Sequence, residues 1–396
     1  VDQRTAIVVG GGIAGLAAAA GLVRAGWRVT VLEQRQDHVE VGAGLAITRN
    51  GMAALEGICA GTTVHAAGYQ AFVAGTRNYR GRWLLRIPDT RGDPDSMNWV
   101  CGVHRRRLHQ ALATAAGEAE LLTGAQVRAV EAGDPAGAAA RVTWRKDGSE
   151  HAAWADLVVA ADGIGSTVRT QLFPDCRLAY SGKTSWRAVI SATNDVDERF
   201  TITWGPGTEF GAVRISHREV YWYGYFHYPA DTAIHDELAA ARRHFARWPL
   251  DVQRVVGATE PEQLIRQDVY HLTVPLPTYT HGRVVVIGDA AHAMLPTMGQ
   301  GANTALEDAV CVGRMIAAPV HVGADLSDAM ARFDQARRPR TQAIAQRSRL
   351  TERVGADLRT RWSQALRDAA MRIMPPAATA KAGSQVLRWR PPPNPH

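Results

Sequence analysis

Near the amino end, Gly10-Gly11-Gly12-Ile13-Ala14-Gly15 sets Gly10, Gly12 and Gly15 at GxGxxG spacing, between the apolar run Ala6 to Val9 and an alanine-rich stretch reaching Arg24. Strand, glycine turn and helix in that order make an anion cradle. Where β-carbons are missing, backbone amides can close on a pyrophosphate, and the helix amino terminus adds about half a positive charge. Glu33 ends the next apolar run, Trp27 to Leu32. There a carboxylate can accept hydrogen bonds from the ribose hydroxyls of an adenosine and would repel a 2′-phosphate. The pattern specifies a dinucleotide and leaves NAD and FAD both open.

Two more apolar runs stop where an aspartate meets a glycine. Residues Asp156 to Arg169 carry a buried strand into Asp162-Gly163, and Gly282 to His292 carry another into Gly288-Asp289. The segment Pro296-Thr297-Met298-Gly299-Gln300-Gly301-Ala302-Asn303 follows and enters the helical spacing Leu306, Ala309, Val310, Gly313, Ile316. With the glycine fingerprint, these stretches resemble the DG and GD motifs of the single-component FAD-dependent aromatic hydroxylases, the p-hydroxybenzoate hydroxylase-like flavoprotein monooxygenases. The resemblance spans most of residues 4 to 350 and is nearest the salicylate hydroxylase, urate hydroxylase and zeaxanthin epoxidase branches.

That resemblance implies FAD as the resident dinucleotide. Asp289 would accept a hydrogen bond from a ribitol hydroxyl, and the helix after Pro296, Gly299, Gly301, Ala302 and Asn303 would meet the flavin pyrimidine edge, favouring an anionic reduced flavin. Asp162 and Gly163 would serve both FAD and a transient nicotinamide cofactor. Arg105, in Val103-His104-Arg105-Arg106-Arg107-Leu108-His109, matches a cofactor-contacting arginine, and Val127 matches a backbone contact to adenine. Gly42-Ala43-Gly44 and Asn50 match a loop that passes near the isoalloxazine. Arg35 is the pyrophosphate candidate, although Gln34-Arg35 stands where the family pattern puts an arginine directly after the acid, and Arg49 replaces the usual proline.

The elements that must hold these groups read as α/β: a Rossmann-like FAD-binding domain of the p-hydroxybenzoate hydroxylase type, an inserted mixed or antiparallel β-sheet substrate domain, and C-terminal helices. The expected boundaries are 1–68, 100–174 and 275–325 for the first, 69–99 and 175–274 for the second, and 326–396 for the helical segment. A helix is expected from Ala331 through Arg337 to Arg353, and a disordered, fraying tail through Pro391 to Pro395. Side-chain alternation puts Tyr221, Tyr223 and Tyr225 on one face of a strand and Trp222 and Phe226 on the other, so one face should pack and the other line a pocket. Arg187, Phe210, Arg214, Tyr223 and Tyr225 are the sheet's pocket candidates; Pro296, Thr297 and Met298 are the loop's. Trp362, Leu366, Ala370 and Ile373 form the apolar stripe of a basic helix, expected to pack against the FAD domain or over the substrate entrance in preference to the alternative of membrane binding.

Composition bounds the partners. A chain of 396 residues with 46% hydrophobic content can bury a large core. The net charge of +7 arises from residues 331–396, which hold fourteen Arg and Lys against four Asp and Glu. No aromatic-basic module accompanies that charge, which argues against nucleic acid. No apolar run approaches about 18 residues, so no stable membrane insertion is expected. Cys59, Cys101, Cys176 and Cys311 show no CxxC pairing, which suits the cytoplasm. His271, His281 and His292 lack metal-ligand spacing, so no metal is expected, and Ser166 lies in no nucleophile elbow. A monomer or weak homodimer is expected.

No second GxGxxG follows a strand, so NADPH or NADH must visit the flavin without a domain of its own. The resemblance implies a monooxygenase that takes hydride from NAD(P)H, adds O2 to form a flavin C4a-hydroperoxide, and inserts one oxygen atom into an aromatic or conjugated substrate, possible polycyclic acceptors included. Two alternatives stay open on sequence: a reductase or dehydrogenase of the same fold, and a non-catalytic flavin-holding protein.

Overall fold

The computed structural model describes residues 3–36, 43–91, 96–192, 197–373 and 385–394. Runs that are apolar on both faces must lie between layers, and here they form a sheet in the order Thr280–His281, Val284–Val286, Leu157–Ala160, Thr5–Val9, Arg28–Glu33, Glu120–Thr123. All pairings are parallel except that of Thr280–His281 with its neighbour. Register pairs Ala160 with both Val9 and Val286, so the glycine turn, Asp162-Gly163 and Gly288-Asp289 all leave the sheet at one carboxyl edge. Ligands of open α/β sheets bind at that edge. The helix Ile13–Arg24 lies close against the sheet because Ala17 to Ala20 carry almost no bulk and are fully buried.

A second, mixed sheet runs Ile265–Leu272, Leu178–Ser191, Glu219–His227, Thr208–Arg214, Phe200–Gly205, Tyr69–Asn78, Trp99–His104, Gly44–Ile47. Only Phe200–Gly205 with Tyr69–Asn78 is parallel. One face carries Trp186, Phe210, Trp222 and Phe226 and is closed by Phe245, Val252 and Val255 of the helices Glu237–Phe245 and Leu250–Gly257. The tyrosines take the opposite face, as strand alternation requires.

That opposite face is unusually charged for an interior. The Lys183 side chain is fully buried, with Nζ 2.9 Å from Glu352 Oε1, 2.7 Å from Asp357 Oδ1 and 4.8 Å from the centre of the Tyr225 ring. The contacts join the sheet to the end of the helix Leu326–Val354. Removing one partner of a buried pair strands the other charge. Lys183→Met should therefore cost about 3–5 kcal/mol in guanidinium unfolding; a loss under about 1 kcal/mol would mean that the pair is screened by solvent as a surface pair is.

Two expectations for the carboxyl end are corrected. The helix Arg361–Ile373 forms, but its apolar stripe faces solvent: Trp362 is 87% exposed, Leu366 75% and Ile373 82%. Polar anchors decide its orientation. Arg367 is buried over the Trp204 ring and donates to Gly355 O at 3.1 Å, Gln364 donates to Leu358 O at 3.0 Å, and Asp368 accepts from Asn78 at 2.8 Å. Residues 385–394 are also laid down rather than frayed. Val386 is buried, its carbonyl accepts from Arg340 at 2.8 Å, and the Pro392 carbonyl accepts from Arg314 at 2.7 Å. Carbonyls need no amide hydrogen, so a proline-rich strand can still be held by arginine donors. Pro395 lies outside the described residues.

Candidate active site

The first two motifs meet around one cleft, lined by Gly10, Gly12, Glu33, Arg35, Arg105, His109, Val127, Asp162 and Gly163 among others. At Gly10, φ is +100° and an added β-carbon would come 2.4 Å from the Ala161 carbonyl oxygen, which joins the glycine turn tightly to the DG segment. At Gly12 an added β-carbon would meet nothing within 4 Å. Glu33 holds the cradle from below: Oε2 accepts from Gly11 N at 2.7 Å and Oε1 from Arg35 N at 2.8 Å. His109 holds it from the side, its Nε2 2.8 Å from Gly11 O. A carbonyl only accepts, so this nitrogen carries the proton. His109 lies within the quoted arginine-bearing motif but was assigned no role there; its position one turn after Arg105 was the available signal.

Asp162 spends its carboxylate on its own loop. Oδ1 accepts from Ser166 Oγ at 2.6 Å and Oδ2 from Val168 N at 3.1 Å, while burial, outweighing these bonds, pushes its pKa up. Arg169, also without an assigned role in the sequence reading, is buried and bridges the motifs, donating to Ile164 O at 2.7 Å and to Ala290 O at 3.2 Å. Asp289 is the contrast: it is exposed, and no hydrogen bond from the described residues reaches its carboxylate. Its Oδ1 lies 3.8 Å from where a Gly301 β-carbon would be, at the start of the helix Gly301–Cys311.

That helix has no side-chain cap, and its first turn offers the amides of Gly301, Ala302 and Asn303. The Asn303 side chain is committed elsewhere, accepting from Thr48 N at 2.9 Å and donating to Gly299 O at 2.8 Å and Ala46 O at 3.2 Å. Asn50 is likewise a clamp: its Nδ2 donates to Glu307 at 2.7 Å and Gln300 at 3.0 Å. Gly42 lies outside the described residues. Behind the helix, fully buried Glu307 and Asp308 face Arg337 at 2.7 and 2.8 Å, and Asp308 also lies 2.6 Å from His292 Nε2. Burial alone would raise the Asp308 pKa, but His292 and Arg337 more than offset it and hold it low. This charged knot explains the buried Arg337 in an arginine-rich helix that sequence would leave in solvent.

The pocket candidates divide. Register places Arg187 opposite Tyr223 on the tyrosine face, where its Nε donates to Ser185 Oγ at 3.1 Å. Tyr225 packs with Leu295, just before the Pro296–Met298 turn, but its hydroxyl is given to Glu352 at 2.5 Å. Phe210 is corrected: it stacks on Trp222 in the dry core, 5.6 Å between ring centres, on the face away from the tyrosines. Arg214 falls opposite Val220 on that same side and donates to His217 O in its own hairpin turn at 3.5 Å. Thr297 is corrected as well, since it is buried and its hydroxyl donates to Ser348 O at 2.8 Å. Pro296 is exposed and Met298 half-buried beside it.

The side chain that sequence reading passed over is Glu209, the neighbour of Phe210 and so on the other face. It is buried, with Oε1 accepting from the Tyr223 hydroxyl at 2.8 Å and Oε2 from Trp204 Nε1 at 2.8 Å. Burial pushes its pKa up to about 6 against the pull of those donors. A charge alternating with Phe210 inside an aromatic strand was the signal. Gly44, on the last strand of this second sheet, packs close against the same face: a β-carbon there would come 2.3 Å from Tyr221 Cβ.

Fold and cleft together define a dinucleotide-binding protein of the parallel α/β type. Residues 3–348 match the family model described as FAD binding domain, and the chain belongs to that family. It is 32% identical over 376 residues to the aurachin C monooxygenase/isomerase of Stigmatella aurantiaca, covering 93% of this chain and 94% of that one. It is 30% identical over 390 residues to the 2-heptyl-3-hydroxy-4(1H)-quinolone synthase of Pseudomonas aeruginosa strain UCBPP-PA14, covering 97% of each. The fold matches Klebsiella pneumoniae HpxO, solved with FAD and uric acid, at a TM-score of 0.86 and 23% identity over 97% of this chain and 96% of that one. The protein is an enzyme, an FAD-dependent monooxygenase, and the reductase and flavin-holding alternatives fall away.

The observed groups fit FAD. The open space at Gly12, the uncapped helix at Gly301 and the unbonded Asp289 carboxylate lie along one edge of the parallel sheet.

Proposed function

We propose that the enzyme uses NADPH or NADH and O2 to place one oxygen atom on a bicyclic, nitrogen-bearing aromatic of the 4(1H)-quinolone type. The observation that carries the reading is the set Arg187, Tyr223 and buried Glu209 on the tyrosine face. The names of two of the relatives above, aurachin C monooxygenase/isomerase and 2-heptyl-3-hydroxy-4(1H)-quinolone synthase, support the substrate class.

In this reading Gly10, Gly12, Ile13, Ala14 and Gly15 cradle the pyrophosphate with Arg35 and Arg105 beside it. Glu33 takes the adenosine ribose, Val127 the adenine, and Asp162 with Gly163 shapes the loop above. Asp289 holds a ribitol hydroxyl, and the Gly299 to Asn303 segment gives its amides to the flavin ring, with Pro296 and Met298 toward substrate. Bound FAD supplies hydride acceptance and activation of dioxygen.

The chain's own residues then orient and ionise the substrate. Arg187 presents N–H donors to a ring oxo group. An aromatic ring is a stronger nucleophile once its N–H or O–H proton has left; Tyr223 can take that proton while passing its own to Glu209. The Trp204 bond fixes the other carboxylate oxygen, so the accepting oxygen stays aimed at Tyr223. Free thiols at Cys59, Cys101, Cys176 and Cys311 fit a reducing compartment such as the cytoplasm.

The test is turnover of a 2-alkyl-4(1H)-quinolone under oxygen-18 gas. One labelled atom in the product, with NAD(P)H oxidation accelerated by the quinolone, is the expected result. Oxidation of NAD(P)H that yields only hydrogen peroxide with a panel of quinolones would remove the substrate class.

A further inference from the structure

The helix Arg361–Ile373 is inside out for a globular protein. Its buried positions are polar, Gln364 and Arg367, while Trp362, Leu366 and Ile373 are more than 70% exposed. Exposed single apolar residues are ordinary; a tryptophan, a leucine and an isoleucine on one helical face, with Arg367 turned inward, leave a face without a partner among the described residues. Leu350 and Val354, one turn apart at the end of the preceding helix, are about half exposed as well.

The charge around this face selects its partner. Arg353, Arg359, Arg361 and Arg372 are exposed here. The nearby carboxylates have partners of their own, Asp357 sharing Lys183 with Glu352 at 2.7 and 2.9 Å and Asp368 lying 2.7 Å from Arg367, so the four arginines stand in excess. An apolar stripe flanked by uncompensated arginines matches the headgroup boundary of an anionic bilayer, where tryptophan and aliphatic side chains enter the acyl edge and arginines meet phosphates. A second protein fits less well. A tryptophan offers at most about 250 Å2, and with two aliphatic neighbours the stripe falls short of the about 800 Å2 per partner that a stable dimer buries. No helix among the described residues is long and apolar enough to cross a membrane, so the contact is peripheral.

We propose that this helix is a docking surface by which the enzyme lies reversibly on anionic lipid. The inference is independent of the reaction and of its substrate. It is tested by sedimenting the FAD-loaded enzyme with vesicles of phosphatidylcholine and phosphatidylglycerol at three to one, and with pure phosphatidylcholine. The expected result is a bound fraction about tenfold higher on the anionic vesicles, lost in high salt. The triple variant Trp362→Ser, Leu366→Ser, Ile373→Ser should fall to the level seen with pure phosphatidylcholine. Trp362, Leu366 and Ile373 are each at least 75% exposed among the described residues, so the variant's flavin spectrum should be unchanged. Equal sedimentation of wild type and variant would overturn the proposal, as would no binding of wild type to anionic vesicles. So would a wild-type dimer that the variant dissolves in the absence of any lipid binding.

Discussion

Gly12→Val is expected to give a folded protein that purifies without FAD. A β-carbon at Gly12 meets nothing within 4 Å, so the substitution disturbs no packing of the chain itself. The valine methyls would instead fill space that the pyrophosphate needs against the helix amino terminus. Loss of at least about a hundredfold in FAD affinity follows from displacing a charge-assisted contact by an apolar clash. Gly15 is the control for a different failure, since a β-carbon there would lie 1.8 Å from the Gly10 oxygen and break the turn. Flavin absorbance read against circular dichroism separates the two. A yellow, fully loaded Gly12→Val protein would show that the pyrophosphate lies elsewhere.

The second large effect is expected at Glu209. Glu209→Gln keeps the shape but cannot accept a proton, so turnover should fall about a hundredfold if the carboxylate works through Tyr223. The pH dependence gives the sharper readout. The pKa of Glu209 is raised by burial to about 6, so wild-type kcat/KM should fall as pH drops through about 6 and the carboxylate is protonated. In the glutamine variant that limb should vanish, leaving a low, flat rate. Stability runs the other way. A carboxyl whose folded pKa exceeds its unfolded value favours the fold below the unfolded value and loses that contribution as pH rises through about 6. Wild type should therefore lose about 2 kcal/mol across that window, a slope absent from the variant. A variant with wild-type turnover and an unchanged acid limb would make Glu209 a structural acceptor only.

Most of the geometry of the glycine-lined cleft was legible because it is local. A strand, a glycine turn and a helix occupy consecutive residues, and the acids that follow strands in Asp162-Gly163 and Gly288-Asp289 are placed by the parallel register that apolar runs dictate. What escaped was set by contacts across long stretches of chain. Thr297 and Tyr225 have the right types for a pocket, yet Ser348 and Glu352, on a helix roughly fifty and more than a hundred residues onward, claim their hydroxyls. Phe210 is a poor pocket candidate because alternation along the tyrosine strand leaves its neighbour's phase open, and the pairing of Glu209 with Tyr225 turns Phe210 to the opposite face. The stripe of Trp362 was read by the rule that apolar helix faces turn inward, which fails where Arg367 and Gln364 find buried partners.

The laid-down carboxyl end has an engineering consequence. Arg340 grips both Glu307, which holds Asn50 against the helix Gly301–Cys311, and the Val386 carbonyl, while the Trp389 ring lies 5.6 Å from the Arg337 guanidinium. Residues 385–394 thus behave as a strap on the helix Gly301–Cys311, and a truncation chosen to trim a proline-rich tail would slacken the helix to which the proposed flavin site is assigned.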